Sequence, residues 1–260
     1  DDLPLNREPL LDEPERLASL RPPDPDAGPR MGDRLGAIRL FREQVGGEVP
    51  IMGWVEGALA EAAVLRGIGD LLLDLTIRPE WVEELLEVCA GVAIAFAVAQ
   101  VEAGADIVGL GDAVASQISP AMYRRFALPY EQRVFEAVHA RGGLARLHIC
   151  GNTNHLIADM AASGADIIDL DWMVDMAAAC DRFGDRGSFL GNFDPVAVML
   201  QGSPDAVYRA ALECMGVGGP RSFSGAGCEI PDGTPHANLH AQTRALNDFG
   251  AGMIGRSSLP

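Results

Sequence analysis

The sequence predicts an α/β fold built around a parallel sheet. Six short apolar runs alternate with segments of helical periodicity along the 260 residues. Each run is nearly unbroken in apolar character, as in strands covered by helices on both faces. The acids and cysteines are also telling: Glu56, Asp112, Cys150, Asp171, Asp194 and Cys228 each stand at or just after a strand terminus. That is the end at which a (β/α)8 barrel gathers its active site. A closed barrel needs eight strands, and six are legible. Two alternatives stand at this point: an open sheet, or a (β/α)8 barrel whose first two strands precede this sequence. In either case residues 1–260 read as one domain.

In chain order, Asp1 to Arg30 is rich in Pro, Asp and Arg and reads as an irregular lead-in, with a helical turn or two in LDEPERLASL. Apolar residues then return at helical spacing from Met31 to Val45, and Gly46-Gly47 stops that helix. A strand is predicted over Glu48–Val55, helices over Gly57–Leu75 and Glu80–Glu102, and a second strand over Ala105–Gly111. The pattern continues with helix Pro120–Arg141, strand Gly143–Cys150, helix Asn152–Ser163 and strand Ala165–Asp171. A weaker helix through Ala179 leads to strand Ser188–Phe193, helix Pro204–Val217 to strand Arg221–Gly227, and Pro235–Phe249 closes as a helix.

Composition narrows the function. The net charge of -17 repels a phosphate backbone and an anionic membrane surface, so neither nucleic acid nor membrane is expected as a partner. The longest apolar run, Val88 to Ala99, is about half of what a membrane-spanning helix needs. All 20 basic residues are Arg. The absence of Lys removes Schiff-base chemistry, a pyridoxal-phosphate lysine and the P-loop lysine together. Five cysteines without framework spacing, and no leader pattern at the start, point to reduced thiols in the cytoplasm.

The richest stretch is Gly143 to Thr153, GLARLHICGNT. His148 and Cys150 are two apart on a predicted strand, so imidazole and thiol share a face. They form half of a zinc site, or else a core His beside a buried thiol. Cys228, in SGAGCEIPDG just past another apolar run, is a candidate third ligand.

LHICGNT and GCEIPDGTP, with VEG at 55–57, ISPAMYRRFALPY at 118–130 and GNFDPV at 191–196, resemble the uroporphyrinogen decarboxylase superfamily. Within it the sequence is most similar to the zinc-dependent methylcobamide methyltransferases. The resemblance covers nearly everything from Met31 onward and implies a (β/α)8 barrel, its first two strands lying in N-terminal sequence that family members carry. It also implies His148, Cys150 and Cys228 as zinc ligands, a methylcobamide as methyl donor, a corrinoid protein as partner and a small thiol such as coenzyme M as acceptor. The decarboxylases bind no metal, and they usually carry a His where this chain has Cys228.

Other residues have two readings each. Glu56 and Asp112 either occupy zinc's fourth position or orient His148, or they cap helices. Asn192 either lines the pocket or is structural, and Asp194 either lines it or caps the helix opened by Pro195. Asp169 and Asp171 alternate in IIDLDW, so both face the barrel interior near its mouth, where one of them helps to close the pocket floor and Asp171 is a candidate for contacting the cofactor. Gly109-Leu110-Gly111 starts like a dinucleotide fingerprint but lacks the third glycine, where Val114 stands. Cys89, Cys180 and Cys214 read as small buried helix residues. Besides methyl transfer, the same barrel accommodates uroporphyrinogen decarboxylation or non-catalytic binding of a tetrapyrrole or corrinoid.

Overall fold

The computed structural model describes residues 9–183 and 187–257; the first eight residues of the predicted lead-in lie outside that range. The chain forms two compact units, residues 1–146 and 147–260, divided within one strand.

In the first unit the lead-in is tied down from its first described residues. Leu11 is fully buried, and its N–H donates to the Leu65 carbonyl. The Arg66 guanidinium donates to the carbonyls of Leu11 and Asp12, both at 2.7 Å, and to Asp74 Oδ2 at 2.8 Å. Helix α1 (Pro29–Val45) opens on Pro and ends at Gly46, burying Leu35 and Ile38 against Ile51, Ala103 and Ala105. Strand β1 (Met52–Glu56) starts later than expected. Pro50 has no N–H for a ladder, and the Ile51 N–H goes to Asp106 Oδ2 at 2.7 Å.

The helix expected over Gly57–Leu75 is two, α2 (Ala58–Arg66) and α3 (Ile68–Ile77). The chain turns at Gly67, whose φ of 88° suits glycine. Helix α4 (Pro79–Ala103) is the spine of this unit, packing on α1, α2, α3 and β1 and on β2 (Ile107–Gly111). Strands β1 and β2 pair in parallel from Met52 with Ile107 to Glu56 with Gly111. The next predicted helix also divides, into α5 (Pro120–Phe126) and α6 (Leu128–His139). Pro129 has no N–H to continue the helical ladder, so it opens a new helix instead. Strand β3 (Leu144–Ile149) begins here, with the Leu144 N–H on the Asp106 carbonyl at 2.9 Å.

Two buried polar side chains complete this unit. Gln100, on α4, is 2% exposed; its Oε1 accepts from Trp54 N at 2.9 Å and its Nε2 donates to Trp54 O at 3.0 Å. One amide thus does for β1 what a neighbouring strand would do. Asp112, fully buried, accepts from the Ala60 N–H at 2.8 Å and so caps the start of α2. Burial pushes its carboxyl up to about 7, against the hydrogen bonds from the Ala60 and Leu59 N–H groups and helped by the charge of Glu56. Glu131 is also buried and its carboxyl lies well above the usual range, because of burial and then of Asp112, while the Tyr123 hydroxyl it accepts from opposes the shift.

The second unit holds the end of β3, then β4 (Ile167–Leu170), β5 (Ser188–Phe193) and β6 (Ser222–Ala226), adjacent in that order. β4 with β5 and β5 with β6 are parallel. The helix expected over Asn152–Ser163 shrinks to one turn, α7 (Ile157–Met160). Asn152 Oδ1 accepts from the Asn154 backbone and side chain, a local turn that competes with helix. After α8 (Met176–Phe183) and β5 comes a wide helical turn, Pro195–Leu200, and then α9 (Pro204–Gly218), capped by Ser203. α10 (His236–Ser257) follows β6. Phe193, Met199, Val207, Ala211, Met215, Ala226, Ala241 and Ala245 form the core cluster here. The Asn238 amide clamps α10 to the wide turn through the Met199 and Gly202 carbonyls, at 2.8 and 2.9 Å.

Gln100→Ala leaves a Trp54 N–H and C=O unmatched, a loss of about 1–3 kcal/mol that chemical denaturation measures. The Asp112 carboxyl binds its proton more tightly in the folded than in the unfolded chain. Its contribution to stability is therefore present at low pH and is lost as pH rises from about 4 to about 7. Asp112→Asn keeps the cap and removes this component, so the melting temperature falls less across that interval than in the parent protein.

Candidate metal centre

The centre lies within the second unit. β3 ends at Ile149, and His148 and Cys150 project from its last positions on one face. Cys228 follows β6 by two residues. His148 Nε2 stands 3.1 Å from Cys150 Sγ and 3.9 Å from Cys228 Sγ, and the two sulfurs are 3.7 Å apart. A tetrahedral zinc with ordinary Zn–S and Zn–N bonds separates its ligand atoms by about 3.5–3.8 Å; the sulfur pair matches this, and the two nitrogen–sulfur separations reach it with shifts of a few tenths of an ångström. Among the described residues this is the one group of three His, Cys, Asp or Glu side chains able to hold a metal ion. His148 is buried and both thiols are half-buried.

Electrostatics act in opposite senses on the two neighbouring donors. Burial works against charge on His148, but hydrogen bonds to Asp169 and Cys150 outweigh it and raise its pKa to about 11. The His148 hydrogen bond lowers the Cys150 pKa against burial, with further help from the His148 charge and from Cys228 and opposition from Asp171. His148 Nε2 and Cys150 Sγ, 3.1 Å apart, each favour the other's charged form. A metal displaces the imidazole proton when it takes Nε2.

The end of β4 sits among the ligand-bearing segments. Asp169 Oδ2 is 3.1 Å from His148 Nδ1. Asp171 Oδ2 accepts from the Gly151 N–H at 2.8 Å and Oδ1 from the Met173 N–H at 3.0 Å. Asn192 Nδ2 donates to the carbonyls of Asp171 and Val174, at 3.1 and 2.8 Å. Gly227 packs so tightly on this turn that a Cβ there would lie 2.1 Å from the Trp172 nitrogen. Asp171 and Asn192, expected at the pocket, spend these groups on backbone. Asp194 Oδ1 accepts from the Val196 and Ala197 N–H groups at 2.7 and 2.9 Å, the capping arrangement.

Glu56 and Asp112 lie in the first unit. Glu56 is exposed beside a cavity of about 240 Å3 lined also by Met31, Trp54, Glu61, Cys89 and Phe96, and it accepts from Trp54 Nε1 at 3.2 Å. Asp112 is the cap of α2 described above. The carboxylate that reaches His148 is Asp169, which the sequence offers only as one of two residues closing the pocket floor. Strand alternation in IIDLDW, set beside LHIC on the preceding strand, was the available signal. Of the remaining cysteines, Cys89 is buried in α4, where burial, Glu61 and Asp112 push its thiol up to about 12. Cys180 and Cys214 are half-buried, both thiols raised first by burial.

Comparison with known proteins follows the same lines. The uroporphyrinogen decarboxylase (URO-D) family profile matches residues 1–249. The methylcobamide:CoM methyltransferase MtbA of Methanosarcina mazei is 33% identical over 225 residues, which are 85% of this chain and 64% of that protein. The uroporphyrinogen decarboxylase of Xanthomonas euvesicatoria is 33% identical over 192 residues, 70% of this chain and 54% of that one. A solved methyltransferase from Methanosarcina mazei superposes with a TM-score of 0.79 at 30% identity, covering 85% of this chain and 65% of its own. The chain thus spans just under two thirds of the methyltransferases it matches. It belongs to the uroporphyrinogen decarboxylase family, and its six parallel strands are those of that family's barrel-type α/β fold.

A methyl group at position 227 has no room against the Trp172 backbone. Gly227→Ala therefore displaces the segment carrying Cys228, and the variant loses about 1–3 kcal/mol of stability, the usual cost of overpacking, which chemical denaturation measures.

Proposed function

We propose that this chain carries the metal centre of a zinc-dependent methyltransferase, which moves a methyl group from a methylated cobamide to a small thiol such as coenzyme M. The observation that supports this reading above others is the His148, Cys150 and Cys228 donor set, gathered within 4.8 Å. Two thiolates and a neutral imidazole balance a divalent ion to near zero charge and leave one coordination position open. Zinc held there supplies Lewis acidity that keeps an incoming thiol deprotonated near neutral pH. Cys150 and Cys228 are half-buried and would supply the thiolates, while the buried imidazole of His148 would anchor the ion to β3.

In the transfer, the acceptor sulfur forms a bond to the methyl carbon as the carbon–cobalt bond breaks. The electron pair stays with cobalt, and a thioether leaves. The named relatives act on a methylcobamide and coenzyme M; for this chain a corrinoid protein as the donor's carrier is part of the proposal. All five cysteines are free, in keeping with a reducing setting such as the cytoplasm. No helix among the described residues is long and apolar enough to cross a membrane.

Metal analysis tests the reading. The purified protein is expected to hold about one zinc per chain, and Cys228→Ala to lose it. With methylcobalamin and a thiol, followed by the cobalamin spectrum, the same variant slows transfer by more than about 100-fold, beyond the usual effect of an outer contact. Metal-free protein that decarboxylates uroporphyrinogen overturns the proposal in favour of the family's other activity.

A further inference from the structure

The chain carries two i, i+2 pairs on adjacent strands: His148 and Cys150 ending β3, and Asp169 and Asp171 ending β4. Side chains two apart point to the same face, so both pairs face one way. Two contacts join the pairs. Asp169 Oδ2 stands 3.1 Å from His148 Nδ1, the ring nitrogen opposite the one that faces the sulfurs. Asp171 Oδ2 holds the Gly151 N–H at 2.8 Å, the peptide next after Cys150. Asp169 and Asp171 are each 3% exposed, so these contacts are little diluted by water.

We infer that Asp169 and Asp171 are the positioning residues of the metal centre, Asp169 fixing the ring of His148 with Nε2 toward the metal and Asp171 fixing the backbone from which Cys150 projects. The physical reason differs for the two. A carboxylate accepting from Nδ1–H selects the tautomer that leaves Nε2 free to coordinate, holds the ring plane, and makes the imidazole a stronger donor. The Asp171 carboxylate spans Gly151 and Met173 with its two oxygens, so the chain leaving β3 is clamped to the chain leaving β4. The same turn carries the Asp171 carbonyl that Asn192 holds and the Trp172 backbone on which Gly227 rests. One strand end therefore serves all three ligands, two through its carboxylates and the third through backbone packing.

This inference rests on the metal-centre reading, and its test separates the two. Zinc affinity is measured by chelator competition on the intact protein and on Asp169→Ala, Asp169→Asn and Asp171→Ala, and each is also loaded with Co2+ for its absorption spectrum. Asp169→Ala is expected to weaken zinc by about 10- to 100-fold. Asp169→Asn, whose amide oxygen still accepts from Nδ1–H, recovers part of that loss. Asp171→Ala weakens zinc and shifts the thiolate-to-cobalt band, because Cys150 is the ligand it releases. Unchanged affinity in either alanine variant overturns that residue's assignment while leaving the metal centre intact. Affinity losses that merely follow a lower melting temperature, with cobalt bands unmoved and no recovery in Asp169→Asn, overturn it as well. A parent protein without zinc affinity overturns the metal reading and this inference together. None of these measurements requires methyl transfer to be observed.

Discussion

Where a strand of a parallel sheet ends, its backbone N–H and C=O groups lose their ladder partners, and something else must satisfy them. In this protein the something else is repeatedly a carboxylate or an amide. Asp106 takes the N–H of Ile51 ahead of β1, Gln100 takes both groups of Trp54, and Asp112 takes the start of α2. In the other unit Asp171, Asn192 and Asp194 do the same work after β4 and β5. The acids that crowd the strand ends are thus first a solution to backbone hydrogen bonding. The metal centre is assembled on top of that solution, since its ligands hang from chain ends that these side chains hold.

The charge arrangement follows from the same economy of groups. Thiolates cannot sit beside carboxylates without a cation between them. Metal-free, the protonated ring of His148 is that cation, with Asp169 on one nitrogen and Cys150 on the other. A divalent ion replaces the proton with a larger charge at nearly the same place. The site is therefore organised before metal arrives, and little rearrangement is needed for the sulfurs, already 3.7 Å apart, to become ligands.

The β/α alternation was legible because buried strands are short apolar runs and the turns between them carry Gly and Pro. All six strands were legible, and Ser188–Phe193 matches to the residue. Helix continuity was less legible. Apolar periodicity runs through Gly67 and Ala127, and only backbone conformation and a missing proline N–H reveal the breaks. His148 and Cys150 could be paired from strand alternation alone, whereas Cys228 was a candidate from its place after another apolar run and from the family resemblance, and only the fold brings its sulfur to 3.7 Å from that of Cys150. Glu56 and Asp112 stood at strand ends just as Asp169 stood within one. Which acid reaches the imidazole depends on the register of β3 against β4, and a one-residue slip would turn the whole face away.

The overall identity does not choose between the two chemistries of this family, since a methyltransferase and a decarboxylase each match at 33%. Most matched residues in such a fold answer to the shared scaffold: apolar strands, helix stops, glycines at close approaches. The choice lies in a few side chains that the scaffold does not require. A core is served equally well by many residues at position 228, but a sulfur 3.7 Å from a second one and 3.9 Å from an imidazole is the donor arrangement that a soft metal ion takes. Two half-buried thiols beside a buried imidazole, backed by a buried carboxylate, make sense as a ligand set and have no corresponding use in a metal-free decarboxylation. It is the donor set, more than the extent of the match, that supports the proposal of methyl transfer.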